Sequence, residues 1–340
     1  MDGIFISVIV PVYNEEKYLD ACVSSMLEQD YPKELMEWIF VDGMSNDETP
    51  AMLEGYRQQY PDLIYVLKNP NKTVPYAMNL GILQAKGQYI IRLDAHAEYA
   101  ADYFSKCVQL LEETGADNVG GVMETKSRTA QGAVIAKMLS SKFGVGDSQF
   151  RTNGADGYVD TVPFGAFRRE IFEQVGLYDE RLTRNQDSEL NYRIIHHGGK
   201  IYLSNQIKLA YYCRDSFGGI MRMAQTNGKW NIITSKLCPG AMRLRHFIPC
   251  FFVLSLFVMP ILSILWRPFL GLFLLELAAY LVLDVLFSVR SASGALEVLY
   301  LMGLFPAFHI CYGWGSIQGI WNVLTGAYER IAGAPKRVDQ

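Results

Sequence analysis

Residues 4–12 (IFISVIVPV) form an unbroken β-rich apolar run, the pattern of a strand buried on both faces of a parallel sheet. After Asn14-Glu15-Glu16, the apolar residues Leu19, Val23, Met26 and Leu27 recur at helical spacing. Glu37–Val41 predicts a second strand, Pro50–Tyr60 a helix, Leu63–Leu67 a third strand, Tyr76–Lys86 a helix and Gln88–Leu93 a further strand. Strand and helix alternating in this order imply an α/β, doubly wound sheet with right-handed crossovers. Farther along, Glu170–Val175 reads as helical, and Asp187 opens a helix that carries Leu190 and Ile194 on its inner face.

The texture changes at Phe247. Phe247–Trp266 is an uncharged apolar run long enough to cross a bilayer. Arg267-Pro268 interrupts it, and Phe269–Val289 forms a second span marred only by Glu276 and Asp284. A third segment, residues 296–316, contains Pro306, several glycines and His309; either it crosses too, or it lies in the interface with Tyr312, Trp314 and Trp321 at headgroup level. Arg243, Arg245 and Arg290 flank the first two spans, and residues 1–12 lead straight into a globular pattern, so the α/β half is expected in the cytoplasm. Lys336 and Arg337 favour a cytoplasmic C-terminus as well. A net charge of −4 over 340 residues gives no footprint for nucleic acid. The six cysteines include no CxxC pair, so neither a zinc site nor a disulfide framework is expected.

In doubly wound sheets, ligands bind beyond the carboxyl ends of the strands. Three polar clusters stand at such ends: Pro11–Glu15, Asp42–Asn46 and Asp94–His96. Side chains two apart on a strand share a face, so Asp94 and His96 can address one object. A carboxylate and an imidazole suit a divalent cation, and a cation suits a diphosphate. Asp42 and Glu15 are placed to accept from a base or ribose such as uridine, with Pro11-Val12-Tyr13 as an apolar wall. Equally, Asp42 fits a turn before Gly43, and Glu15 a helix start. Asp187 fits either an N-cap or a general base. There is no P-loop and no GxGxxG after the first strand, which argues against an ATPase or a dinucleotide enzyme.

The order PVYNEE, VDGMSND, RLDAH, VPFGAFRRE and NQDSELNYR resembles the inverting family 2 glycosyltransferases of the GT-A fold. Within that family it looks most like the bacterial exopolysaccharide glucosyltransferases of the succinoglycan type, over residues 5–235 plus the membrane region. The resemblance implies a GT-A catalytic domain over residues 1–240, a membrane domain over 241–325 and a tail over 326–340. By the same resemblance, Pro11, Tyr13, Glu15, Asp42 and Asp94 match nucleotide-sugar-binding positions. Asp94 and His96 match the Asp-x-Asp metal motif, with His in the last place, for Mn²⁺ or Mg²⁺. Asp187 matches the catalytic base, Gln186 replaces the frequent acidic neighbour, and Glu189 is expected to bind the acceptor or tune Asp187. Gly165 marks a close approach of sugar or backbone.

Gln225–Trp230 is a poor match to the Gln-x-x-Arg-Trp motif of processive members, which implies a single addition. Arg222, Lys229 and Trp230 either cover the departing diphosphate or belong to a basic amphipathic helix on the membrane. The implied donor is a UDP-sugar and the implied acceptor an undecaprenyl-diphosphate glycan, at the inner membrane of a bacterium. A sugar-1-phosphate nucleotidyltransferase, a polyprenyl-phosphate sugar synthase and a non-catalytic scaffold are the rival readings.

Overall fold

The computed structural model describes residues 5–152 and 154–332. Ile4, expected in the first strand, and Lys336 and Arg337, expected in a cytoplasmic tail, lie outside the described residues. The chain begins β1 (Ile6–Val12), α1 (Leu19–Leu27), β2 (Met36–Asp42), α2 (Thr49–Gln59), β3 (Ile64–Lys68), α3 (Val74–Gln84), β4 (Tyr89–Arg92). It continues β5 (Ala97–Tyr99), α4 (Tyr103–Thr114), β6 (Asn118–Lys126), α5 (Ala130–Leu139), α6 (Lys142–Val145), β7 (Gly157–Tyr158), β8 (Ala166–Arg168). Then follow α7 (Glu170–Val175), α8 (Gln186–His196), β9 (Ile201–Tyr212), α9 (Phe217–Leu237), α10 (Ile248–Leu265), α11 (Pro268–Ser291), α12 (Ala295–Leu324) and α13 (Tyr328–Ala332). Two compact units emerge. One holds the chain up to Glu124 and the segment ending at Tyr211; the other holds Thr125–Thr152 and the chain from Tyr212 onward. The division therefore does not fall at residue 240, and α5, α6 and α9 group with the apolar helices.

In the first unit the sheet runs β3-β2-β1-β4-β8-β6-β9-β5, with β7 on β9. The four strands β3, β2, β1 and β4 are parallel, and most residues of β1, β2 and β4 are apolar and buried because helices cover a parallel sheet. Val12 pairs with Asp42 and Ile9 with Arg92, so the carboxyl ends of β1, β2 and β4 share one edge. Beyond β4 the sheet turns antiparallel. The pairing of β8 with β4 and of β5 with β9 is what makes the sheet mixed. A buried Glu37 ties the amino ends together, accepting from Ser7 Oγ at 2.6 Å and from the Lys86 N–H at 2.6 Å.

In the second unit, three helices are long and apolar enough to cross a membrane: Leu244–Leu265, Pro268–Ser291 and Ala295–Leu324. The last is a single helix through Pro306, and its 30 residues reach about 45 Å. Its length and composition thus favour a crossing over an interfacial strip. Helix α9 lies along α12 with backbone close to backbone. A Cβ at Gly228 would stand 1.9 Å from the Tyr312 carbonyl, and one at Gly315 would stand 1.9 Å from the Gln225 carbonyl. Small residues at such a seam let helices exchange polar contacts, here Ser316 Oγ donating to the Gly228 carbonyl and Gln225 Nε2 donating to Gln318.

Gly315→Leu should therefore lower stability by about 2–3 kcal/mol through overpacking of the seam. Thermal unfolding of the detergent-solubilised chain checks this. Gly271→Leu, where nothing lies within 4 Å, should leave the transition unchanged.

Candidate functional site

The turns after β1 and β2 are stitched to each other. The Asn14 N–H donates to Ser45 Oγ at 2.9 Å, the Asn46 N–H donates to Asn14 Oδ1 at 2.9 Å, and the Glu15 N–H donates to Thr49 Oγ1 at 2.8 Å. Asn14 and Met44 hold positive φ of 56° and 62°, a strained conformation that these bonds pin in place. Asp42 is buried, and its Oδ1 accepts from the Ser45 N–H at 3.1 Å and from Ser45 Oγ at 2.6 Å. The turn role of Asp42 is thus real, and Oδ2 keeps only a 3.4 Å contact with the same N–H. Pro11 is the penultimate residue of β1, and Tyr13 just past it is exposed.

At the end of β4 the chain turns, and Tyr99 fixes Asp94: the Asp94 N–H donates to Tyr99 Oη at 2.7 Å. His96 then stands between two carboxylates. Its Nδ1 lies 3.0 Å from Glu15 Oε1 and 3.2 Å from Asp94 Oδ1, and its Nε2 lies 3.1 Å from Tyr211 Oη. One ligand atom from each of Glu15, Asp94 and His96 falls within 4.8 Å of the others. Burial alone would push the His96 pKa down. Asp94 and then Glu15 outweigh burial and hold it well above 6.5. The imidazolium acts as a cation between two anions. Two carboxylates and an imidazole also form a donor set that fits Mn²⁺, with Tyr211 on the remote ring nitrogen to orient the imidazole. Glu15, expected at the nucleotide, is the third member of this cluster.

Arg92 was not anticipated. It ends β4 and is buried, and its Nη1 donates to Asp187 Oδ1 in an ion pair. Asp187 sits in the first turn of α8, whose cap is Asn185 at φ 61°, so it is not the N-cap residue. The Phe164 ring lies 5.7 Å from the Arg92 guanidinium carbon and stacks on Tyr211 at 5.9 Å. Phe164 itself holds a positive φ of 44°, a conformation a bulky residue adopts only under constraint. A continuous run of contacts therefore links Glu15, His96, Tyr211, Phe164, Arg92 and Asp187. The signal for Arg92 was available as a lone charge closing an apolar strand. Tyr211 carried no such mark, because it meets His96 only through the pairing of β5 with β9.

The remaining expected site residues have other protein neighbours. Glu189 is buried with both oxygens on Arg193, at 2.6 and 2.9 Å, and Arg193 Nη2 also donates to the Leu177 carbonyl; Glu189 is thus taken up by packing. Gln186 is buried as well. The close neighbour of Gly165 is Asn118, whose Oδ1 would stand 2.2 Å from a Cβ there. Arg222, Lys229 and Trp230 lie on α9 in the second unit, where Trp230 is buried.

A model of the family described as glycosyl transferase family 2 matches residues 7–176. A protein of Methanococcus voltae, dolichyl N-acetyl-alpha-D-glucosaminyl phosphate 3-beta-D-2,3-diacetamido-2,3-dideoxy-beta-D-glucuronosyltransferase, is 32% identical over 219 residues. That alignment covers 62% of this chain and 68% of the relative. The succinoglycan biosynthesis protein ExoA of Rhizobium meliloti (strain 1021) is 30% identical over 209 residues, 61% of this chain and 63% of the relative, so the chain spans just under two thirds of its length. Among solved structures, a mannosyltransferase of Pyrobaculum calidifontis in complex with GDP-Man and Mn²⁺ shares the fold. Its TM-score is 0.63 at 18% identity, over 94% of this chain and 88% of that one.

Two outcomes follow from the charges. Asp187→Ala strands a buried guanidinium and should cost about 3 kcal/mol, whereas Arg92→Met leaves a partly exposed carboxylate that water can solvate and should cost about 1 kcal/mol. The double variant should be no less stable than Asp187→Ala alone, as read by denaturant unfolding. In chelator, the stabilisation from charged His96 is fully present below pH 6.5 and is lost as pH rises through its elevated pKa. Thermal midpoints should fall over that window in the native chain and stay flat in His96→Ala.

Proposed function

The chain belongs to glycosyl transferase family 2, and from that membership and the geometry at the strand ends we propose an inverting transfer. A sugar moves from a UDP-sugar to a hydroxyl of a lipid-linked glycan, in assembly of an exopolysaccharide or another cell-surface glycan. The observation that carries this reading is the run of contacts from the Glu15–Asp94–His96 cluster to Asp187. It joins a place for the donor's diphosphate to a carboxylate able to take a proton.

Each residue then has a task. Tyr13 and Pro11 offer the apolar wall for the uracil ring, and the Asp42 oxygen left by its turn accepts the imide N–H. Asp94, His96 and Glu15 would hold Mn²⁺ or Mg²⁺, which when bound supplies Lewis-acid neutralisation of the diphosphate. Asp187 takes the proton from the acceptor hydroxyl as that oxygen attacks the anomeric carbon, and Arg92 fixes the carboxylate that does so. One base suffices, whereas glycoside hydrolysis needs two carboxylates flanking the bond.

An acceptor attached to lipid accounts for three candidate spans on the same chain, since a water-soluble acceptor needs no such anchor. The relative from Methanococcus voltae, named for a dolichyl phosphate sugar, supports a lipid-linked acceptor, and the succinoglycan biosynthesis protein supports an exopolysaccharide as the product. Undecaprenyl diphosphate as carrier, the inner membrane of a bacterium as location and glucose as the sugar complete the reading. UDP-glucose is the first donor to assay.

The purified chain, given a UDP-sugar panel, Mn²⁺ and a lipid-linked oligosaccharide, should extend the lipid product by one sugar. Asp187→Asn should reduce turnover by about 10²–10⁴ while UDP affinity stays within a few fold. Full activity of Asp187→Asn would remove the base from this scheme. A labelled lipid carrying one sugar directly on its phosphate would replace it with a polyprenyl-phosphate sugar synthase.

A further inference from the structure

Outside this site, the second unit contains a cleft of about 450 Å³, within the size range of small-molecule sites. Its walls include Thr125, Lys126, Arg128, Lys137, Ser140 and Tyr212. Lys126 and Arg128, beside a Lys137 that is paired with Glu297, give this recess a net positive lining that suits an anion. Arg128 rests over the Tyr212 ring at 4.9 Å. Thr125 adds a hydroxyl oxygen that is buried with no hydrogen-bond partner, in a protein where buried polar atoms are otherwise mostly satisfied.

Helix α5 shows how the cleft is built and where it belongs. One face, Ala133, Ala136, Lys137 and Ser140, follows helical spacing and lines the recess with small or polar side chains. The other face, Val134, Ile135, Met138 and Leu139, packs with Leu301, Leu304, Phe305 and Phe308 of α12. Lys137 is also fastened to the opening turn of α12, donating to Ser293 Oγ at 2.7 Å and pairing with Glu297. Since α12 is one of the candidate spans, its end lies at headgroup level, and the cleft is attached to that end. Basic pockets at such a level suit lipid phosphates.

We propose that this cleft binds the phosphate-bearing headgroup of a membrane lipid. The inference rests on the membrane reading above, and it assigns residues to lipid recognition without drawing on the donor site. A lipid diphosphate and an anionic phospholipid share this chemistry, as does free pyrophosphate, and three probes separate them.

The full chain in detergent is titrated with farnesyl diphosphate, dihexanoyl phosphatidylglycerol and inorganic pyrophosphate, with binding followed by native mass spectrometry. At least one of the two lipids should bind tenfold more tightly than inorganic pyrophosphate, and Lys126→Gln/Arg128→Gln should weaken it by tenfold or more. Thr125→Val, which keeps the shape and removes the hydroxyl, should weaken it by a smaller factor. Farnesyl diphosphate as the tighter probe identifies a diphosphate carrier, and phosphatidylglycerol identifies bulk lipid. Equal binding of pyrophosphate and the lipids, or lipid binding untouched by the double substitution, overturns the proposal. UDP-sugar hydrolysis without acceptor serves as the fold control and should persist in the double variant. Its absence in the native chain would count against the proposed function, and the lipid measurement would still decide this one.

Discussion

A guanidinium buried at the end of a central strand is the constraint around which the candidate site is organised. Arg92 cannot be left without a counter-charge in that setting, and Asp187 in the first turn of α8 provides it. The pair fixes where α8 begins relative to β4, and thereby where the Asp187 carboxylate stands relative to the Asp94–His96 turn. An ion pair in such a place is weak evidence for net stability. Its effect here is positional: it selects one arrangement of two distant segments.

The same logic repeats one step away. His96 lies between Glu15 and Asp94 as a cation, so the site carries its own positive charge where a divalent ion would otherwise satisfy the carboxylates. Tyr211 and Phe164 join the two charged clusters through ring contacts. The strained backbone at Phe164, Asn14 and Met44 lies in the same neighbourhood, as expected where geometry is held for a ligand and the surrounding packing bears the cost.

The second unit solves a different problem with different means. It joins α9 to α12 by close backbone approach at Gly228, Gly315 and Gly319 and by a few polar pairs. Trp230, on the same helix α9, is buried. Basic residues Lys126 and Arg128 line a recess there.

Much was determined by sequence alone, because local patterns report local physics. The apolar runs marked β1, β2 and β4, helical spacing marked α1 and α8, and apolar length marked the candidate spans. The strand-end rule then placed Pro11, Asp42 and Asp94 at one edge. What only the tertiary structure decided were contacts between residues far apart in the chain. Arg92 with Asp187, and His96 with Tyr211, lie 95 and 115 residues apart, and nothing in either local segment specifies its partner. Gly165 and Trp230 show the converse: each is of a type that suits a ligand, and in the fold Gly165 abuts the Asn118 side chain and Trp230 is buried, whereas Glu189 pairs with Arg193 one turn along its own helix. A residue type states what chemistry is available, and the fold decides whether a ligand or a neighbouring side chain receives it.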